Sequence, residues 1–561
     1  MQKLQIFVYK SRGAFRLGFV RNPAYLVDLG FCQGQGAVIV SPPLVSSDAY
    51  ETLEVWKKRF ECKLAAFWWQ VLSRKSRHNP GTIESEFSLN GGERVVEVLT
   101  RIKQVLVGRL MPEQRLIKLL RQEGVWPSDI SRAIDLGVHC GELKQLPGIA
   151  SGPWGTKICS RCQSEVSKEV PCRLCGRANC LLCEQCLSMG EHRSCSTLLA
   201  LTNLQQAPRR GRVELVLDYE LTKAQSMAAQ QLLEFWQQRQ GKALVWAACG
   251  AGKTEVTFPL IKQVLSEGYD VLFAIPRQDI VREMAERLKR SFPGMEVAAH
   301  YGGQPLFASG RLVVATTHQV LNFYRRFQLA ILDEVDAFPY QGNEMLRFGL
   351  HRALAVQGQL VEMTATPSFK ERYHRVITIP ARYHGFPLSE PELIQHNLPP
   401  WSEVKSSQLP KVILEPLRCQ NRPWLIFAPT IAACTALQRV LVDALGQPVG
   451  CCHSKVTNRS QVIQNFREGK LGYLVTTSVL ERGVNFPGVG VIVLYADHGV
   501  FTVSALVQIA GRVGRTAEQP TGTVLFVGSK KTGPMKKALA LIRELNQDAR
   551  ERGLLFNEGL D

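Results

Sequence analysis

The sequence predicts an α/β protein in which two tandem domains built on parallel sheets follow a cysteine-rich segment and an α+β N-terminal region. Three observations carry that prediction. Nine short apolar runs recur between helical segments from about residue 211 onward: ALVWAAC, VLFAI, LVVATT, LAILDE and LVEMTAT, then LIFAPT, YLVTTS, VIVLYA and TVLFVG. Eight of the sixteen cysteines fall between Cys159 and Cys195. A stretch rich in proline and polar residues, HGFPLSEPELIQHNLPPWSEVKSSQLP, interrupts the apolar series after its fifth member.

Short apolar runs with β-branched residues, alternating with helices, are the pattern of strands buried on both faces of a parallel sheet. Nine such strands exceed one small sheet, and the interrupting stretch reads as a linker between two. A chain of 561 residues is too long for one core and suggests roughly three or four units. The divisions are residues 1–150, an N-terminal region of unassigned role; 151–205, a metal-binding finger; 206–390, a first α/β domain that binds nucleotide; and 391–561, a second. Within the first region, RLIKLLRQEGVWPSDISRAIDLGVHCGEL predicts two helices joined by a turn at Trp126-Pro127-Ser128. A DNA-reading helix-turn-helix fits that pattern, and so does a plain helical packing unit, which is the commoner source of it.

Net charge is +19 and the pI about 9.4, a balance suited to a polyanion such as nucleic acid or an anionic membrane surface. The sequence has no apolar run of about 18 residues, the length that marks a transmembrane helix. Its start, MQKLQIFVYKSRGAFRLGF, lacks the apolar core and small-residue cleavage site of a secretory signal. A cytoplasmic protein is therefore expected. In a reducing compartment the clustered cysteines point to metal and not to disulfides, while others such as Cys32, Cys62 and Cys419 are scattered like ordinary small hydrophobes.

The cluster runs Cys159-x2-Cys162, Cys172-x2-Cys175, Cys180-x2-Cys183, then Cys186 and Cys195, with His192 nearby. Eight thiolates suffice for two tetrahedral Zn²⁺ sites, and saturated sites leave no position for a reacting water. The spacing resembles a cross-braced finger. On that pattern the first and third pairs share one ion and the second pair shares the other with Cys186 and Cys195, His192 being an alternative to one of these. A sequential arrangement, or a single ribbon of the first four cysteines, remains open. The segment is too small to build a core, so the metal would supply its folding energy.

The stretch AACGAGKTE places Ala247, Gly250, Ala251, Gly252, Lys253 and Thr254 between an apolar run and a helical one. A glycine-rich turn there lets backbone N–H groups and a helix N-terminus surround phosphates, Lys253 reaches the terminal ones, and Thr254 suits Mg²⁺. The run LAIL ends in DEVD, which puts Asp333 where a Mg²⁺ ligand belongs and Glu334 beside it to orient or deprotonate the attacking water. In MTATPS, Thr364 and Thr366 suit a hydroxyl relay toward the neighbouring domain, although threonines at strand ends are often only caps. In QIAGRVGR, Gln508, Arg512 and Arg515 at i, i+4 and i+7 are expected on one helix face. An arginine delivered from a second domain to the γ-phosphate is worth about 10³ to 10⁵ in rate. Gly511 and Gly514 beside them suggest close approach of that domain.

Together with LTKAQ, AIPR, ATTHQ, LIFAPT and TTSVLERGVNFP, these motifs make residues 215–530 similar to a superfamily-2 helicase core of two RecA-like lobes. The cysteines upstream of the motor, with the segment RYHGFPL, most resemble the ComFA family of late-competence DNA-uptake ATPases of Gram-positive bacteria. A primosomal helicase carries its cysteines between the lobes. The resemblance implies ATP as substrate with Mg²⁺ and two Zn²⁺, and Gln225 as the adenine-reading glutamine. It implies single-stranded DNA contacts at Arg277, Thr316, Thr317, Thr430, Thr476 and Thr477, with Arg482 and Gly483 on the nucleotide side. The implied function is ATP-driven translocation of single-stranded DNA during uptake of transforming DNA. The implied partners are a membrane channel and other competence proteins, which would hold the chain at the inner face of the membrane. Alternatives are a replication-restart or RNA-remodelling helicase, and a zinc-bearing scaffold with a decayed motor. Retention of Lys253, Glu334 and Arg515 speaks against the last.

Overall fold

The computed structural model describes residues 5–11, 14–20, 38–39, 90–202, 208–302, 310–367, 372–404, 409–419, 422–481 and 486–556. Cys32, Cys62, Arg482 and Gly483 lie outside the described residues. The chain divides into two compact units, one of Met1–Pro208, Ala315–Gln328 and Gly342–Gly358, the other of Arg209–Val314, Leu329–Gln341 and Gln359–Asp561.

In the first unit the expected two helices are Glu113–Gln122 and Pro127–His139, joined at Glu123–Trp126 and not at Trp126-Pro127-Ser128, because Pro127 takes the first helical position, where its missing N–H costs nothing. Both helices commit a face to packing: Leu116, Leu120, Ile130 and Ile134 are fully buried. The finger that follows is built from two-stranded ribbons, Ile149–Ser151 with Lys157–Cys159 and Glu169–Val170 with Cys180–Leu181. It closes on a small sheet in which Thr197–Leu201 pairs with Leu143–Pro147 and with Met111–Pro112.

The second unit carries most of the two RecA-like lobes, while Ala315–Gln328 and Gly342–Gly358 of the first lobe fall in the first unit. After helix α1 (Lys223–Gln237), the first lobe contains β1 (Lys242–Ala247), helix α2 (Phe258–Ser266), β2 (Val271–Ile275), helix α3 (Gln278–Ser291), β3 (Val297–His300), β4 (Leu312–Thr316), β5 (Phe327–Leu332), β6 (Leu354–Thr364) and β7 (Arg375–Ile379). Their order in the sheet is β3-β4-β2-β5-β6-β1-β7. The second lobe contains β8 (Glu392–Gln395), β9 (Trp424–Phe427), α4 (Ile431–Leu445), β10 (Val449–Cys452), β11 (Tyr473–Thr476), β12 (Gly490–Leu494), α5 (Val503–Ala510), β13 (Val524–Gly528) and α6 (Gly533–Glu551). Its sheet runs β8-β13-β12-β9-β11-β10, parallel throughout. The five residues of β2, of β12 and of β13 are all buried, as expected of strands covered on both faces.

All nine apolar runs are strands. Two expectations need correction. The stretch read as a linker contributes β8, an edge strand of the second sheet paired parallel to β13. Gln508, Arg512 and Arg515 do not share a helix face, because α5 ends at Ala510 and is capped by Gly511. The two arginines leave from the turns beyond it.

Candidate functional site

The first lobe delivers its part of the site at the carboxyl edge of its sheet, where open α/β sheets hold ligands. β1 runs into the loop Ala248–Thr254, and a 3-10 turn, Glu255–Thr257, precedes α2. Gly250 and Gly252 both have positive φ. At Gly252 a Cβ would also overlap the Gln225 amide, so only glycine serves. Gln225 is buried and fully engaged: its Oε1 accepts from Thr222 N at 2.9 Å, and its Nε2 donates to Ala251 O at 3.0 Å. It thus caps α1 and braces the loop together.

Lys253 Nζ lies 2.9 Å from Asp333 Oδ1. Burial works to lower the lysine pKa, but Asp333 and Glu334 outweigh it and hold the ammonium above its ordinary value. Burial, with help from Glu334, raises the pKa of Asp333 against the pull of Lys253. Glu334 sits at φ +54°, a conformation that costs a non-glycine residue about 1–3 kcal/mol and is concentrated at functional sites. Its N–H donates to Asp333 Oδ1 at 2.8 Å, which fixes the two carboxylates relative to each other.

The second Asp of DEVD, which the motif reading passed over, joins the site through its hydrogen bonds. Asp336 accepts from Thr364 Oγ1 at 2.8 Å and from Thr366 Oγ1 at 2.9 Å. It also accepts from the hydroxyl of Ser504 on α5. The threonines of MTATPS therefore do reach the second lobe, through a shared carboxylate. Ser504 lies four residues before Gln508, one helical turn along α5, and that spacing was the available signal.

From the second lobe, Gln508, Arg512 and Arg515 line the same cavity as Gly250–Glu255 and Glu334, a space of about 830 Å³. Arg512 Nε donates to Glu481 O at 3.1 Å and Arg515 Nε to Gly511 O at 2.9 Å. Burial lowers the pKa of both guanidinium groups. Arg515 adds to the effect at Arg512, while Cys249 and Glu334 oppose it at each. Desolvated arginines keep their charge and gain most from an incoming anion. The lobes touch where glycine was expected to permit it. A Cβ on Gly511 would overlap Cys249, whose Sγ lies 3.6 Å from Gln508 Oε1.

A brace across this contact comes from RYHGFPL. Arg382 is buried, donating Nε to Cys249 O at 3.0 Å and Nη1 to Gly514 O. Burial lowers its pKa to about 10. His384 Nε2 donates to the same Gly514 carbonyl at 3.0 Å, and Tyr383 Oη donates to Arg515 O at 3.1 Å. The sequence marked this segment only by its family resemblance, and nothing in it signals the bracing role.

The residues expected to grip a strand all follow parallel strands at their carboxyl ends, but their present bonds differ. Arg277 pairs with Asp279 at 2.7 Å. Thr430 caps α4, accepting from Ala433 N at 3.1 Å. Thr476 is fully buried and donates to Cys452 O at 2.9 Å. Thr316 and Thr317 are buried, and Thr477 is half-buried.

The cysteines of the finger form two sets of four, Cys159, Cys162, Cys183 and Cys186, and Cys172, Cys175, Cys180 and Cys195. The expected two sites and their interleaving are present, and the ligand sets differ from the expected ones. Cys183-x2-Cys186 is itself a knuckle, so Cys186 takes the expected place of Cys180 in the first set and Cys180 moves to the second. His192 belongs to neither; it is fully buried, its pKa lowered to about 4 by burial and by Arg161. Zn–S bonds of about 2.3 Å in a tetrahedron separate thiolates by about 3.8 Å. The Sγ pairs Cys159–Cys186, Cys162–Cys183, Cys172–Cys195 and Cys180–Cys195 lie 3.8, 3.5, 3.7 and 3.8 Å apart, so both sets fit zinc. The backbone beside the first set is held by Arg352, which donates to Arg161 O at 2.6 Å and Ser160 O at 3.2 Å.

Comparison with known proteins finds three family profiles along the chain. Residues 101–200 match the profile of the competence protein ComFA N-terminal domain, 218–369 that of the type III restriction enzyme res subunit, and 405–517 that of the helicase conserved C-terminal domain. The chain is 34% identical to competence protein ComFA of Bacillus subtilis over 69% of its own length and 85% of the relative's. It is 35% identical to that of Streptococcus pneumoniae R6 over 70% and 91%. The ATP-dependent DNA helicase RecG of S. pneumoniae TIGR4 is 25% identical over 59% of this chain and 52% of its own length. Among solved structures, Mss116p bound to single-stranded RNA and AMP-PNP aligns over 59% of this chain and 72% of that one, at 18% identity and a TM-score of 0.43. No helix among the described residues is long and apolar enough to cross a membrane. With two relatives above 30% identity matched over most of their length, and the finger itself matching the family's N-terminal domain, this superfamily-2 helicase-type ATPase belongs to the ComFA family of competence proteins.

Proposed function

We propose that the chain is an ATP-driven translocase of single-stranded DNA that draws transforming DNA into the cell during competence. The observation that carries this reading is the single cavity lined by the loop Gly250–Thr254 and Glu334 from one lobe and by Gln508, Arg512 and Arg515 from the other. Lys253 and the loop N–H groups hold the β- and γ-phosphates, and Gln225 stands at the adenine end. Thr254 and Asp333 would hold Mg²⁺, which neutralises phosphate charge. Glu334 orients the attacking water and accepts its proton, while Arg512 and Arg515 meet the charge that develops on the transferred phosphoryl group. Closing the lobes completes this set, and opening dissolves it. The Asp336 carboxylate, shared by Thr364, Thr366 and Ser504, ties the change at phosphate to the position of α5.

Strand contacts at Arg277, Thr316, Thr317, Thr430, Thr476 and Thr477 are made to phosphate, so binding depends on salt and little on base sequence. The finger, with two Zn²⁺, holds DNA or a competence partner near the motor. The membrane channel and the other competence proteins keep the chain at the inner face of the membrane. The test is the ATPase rate with equal lengths of single-stranded DNA, duplex DNA and RNA. Single-stranded DNA should stimulate most, and equal stimulation by RNA would remove the case for DNA uptake.

A further inference from the structure

A second cavity, of about 370 Å³, opens at the carboxyl edge of the second sheet, within the size range of ligand sites. Its walls follow directly from three adjacent strands. β8 ends at Gln395 and leads to His396 and Trp401, β12 ends at Leu494 and leads to Tyr495 and Asp497, and β13 ends at Gly528 and leads to Ser529. No residue of this cavity lines the nucleotide cleft.

Its chemistry is specific. Trp401 packs edge-on against Tyr495, with centroids 5.4 Å apart and planes at 90°, and lies 6.2 Å from the ring of His498. Tyr495 has φ +55°, a conformation that a bulky side chain seldom adopts. Its hydroxyl donates to Pro399 O at 2.7 Å. The Asp497 carboxylate accepts from Ser529 N at 3.1 Å and from the Ser529 hydroxyl. The next residues, Lys530 and Lys531, are exposed. A carboxylate inside the cavity repels phosphate there, and its polar neighbours disfavour a purely apolar guest. A flat heterocycle with an N–H edge satisfies both, and the two exposed lysines that follow Ser529 in the chain suit the phosphates attached to it. Strands β9 and β11, which lead to Thr430 and to Thr476 and Thr477, belong to the same parallel sheet. The cavity therefore shares its edge with the proposed strand contacts.

We propose that this cavity binds one base of the single strand, stacked on Trp401 with its N–H edge toward Asp497. The inference rests on the proposed function and adds to its phosphate track a contact with the base itself. The test uses the full chain and two oligonucleotides of equal length, one single-stranded DNA carrying 2-aminopurine and one fully abasic. Trp401→Ala should bind the DNA about tenfold more weakly, as loss of one stacking contact implies. It should quench 2-aminopurine less, bind the abasic strand as the parent does, and keep the unstimulated ATPase rate. Trp401→Phe should recover most of the lost affinity, which a merely structural tryptophan would not require. Trp401→Ala binding the DNA within twofold of the parent, or losing equal affinity for both strands, would overturn the pocket and leave the proposed function standing. A parent protein that binds neither strand would overturn both.

Discussion

In the nucleotide cleft, Lys253, Asp333, Asp336, Ser504 and Arg515 come from distant stretches of chain and meet because two sheets present their edges to one another. In the finger, eight thiols from one short segment, Cys159–Cys195, sort into two sets among short two-stranded ribbons. The cleft is held by buried cores and by hydrogen bonds such as those of Arg382, whereas the finger's thiol sets would be held by the ions they can accept. Damage should therefore spread differently. A lost side chain in the cleft removes a chemical role from an intact scaffold, while a lost thiol in the finger removes scaffold.

The sharpest break in that comparison is Glu334→Gln, which should lower ATP turnover by about 10² to 10⁴ and leave nucleotide affinity and zinc content at parent values. Steady-state hydrolysis and equilibrium nucleotide binding measure the two effects separately. A near-parent rate would show that Glu334 does not act on the water.

Next in size is the double replacement Cys159→Ser with Cys186→Ser. Both thiols belong to one observed set, so one zinc per chain should remain, as elemental analysis would show. In the arrangement expected from spacing, the two lie in different sites, and both ions would be lost. Nucleotide affinity should not change.

Arg382→Ala should act between these extremes, because it removes a bridge between the phosphate loop at Cys249 O and the second lobe at Gly514 O while leaving every side chain assigned to the phosphates in place. Leaving buried carbonyls unsatisfied costs about 1–3 kcal/mol. The expected result is a turnover reduced about tenfold, with nucleotide affinity nearly unchanged. Loss of affinity equal to the loss of rate would mean that Arg382 instead shapes the bound state.

The smallest expected effect is on pH dependence, and its sign differs between the regions. His192 in the finger titrates at about 4 when folded against 6.5 unfolded, so unfolding takes up a proton in that interval. Its contribution to stability is present above pH 6.5 and is lost as pH falls toward 4. For Lys253 the folded pKa is raised above 10.5, so its contribution is full below that pH and is lost as pH rises through the folded value. Melting profiles at saturating zinc should show acid sensitivity that His192→Gln reduces, and alkaline sensitivity that it leaves alone.

The sheet interiors were legible because buried strands must be continuously apolar, and each of the nine runs is a strand. The four that escaped, Val297–His300, Arg375–Ile379, Glu392–Gln395 and Val449–Cys452, are the four outer strands of the two sheets. An edge strand is relieved of burial on one side and tolerates charge, proline neighbours and short length, so ELIQ beside prolines looks like a linker. In the cleft, Lys253, Thr254, Asp333 and Glu334 were legible because phosphate chemistry fixes their spacing. Arg382 and Cys249 were not, since contacts to backbone carbonyls leave the donor's sequence context free. The helix face assumed for Gln508, Arg512 and Arg515 failed because Gly511 was read for its small size and not as a helix cap. In the finger, spacing alone allowed Cys183 to pair toward either neighbour, and the fold chose Cys186.

The strand β8 also limits motion. Between the end of β7 at Ile379 and the start of β8 at Glu392 only a short connector joins the lobes. Much of it is already fastened to the second lobe, by Arg382 and His384 to Gly514 and by Leu388 to both polar atoms of the Asn546 amide. Arg382 is bonded to Cys249 O of the first lobe as well, so while those bonds persist the connector clamps the two lobes to one another. Such a joint permits rotation of one lobe against the other and forbids wide separation. A cycling motor on this plan would swing through small angles at this connector, and the length of its stride would be set by rotation there.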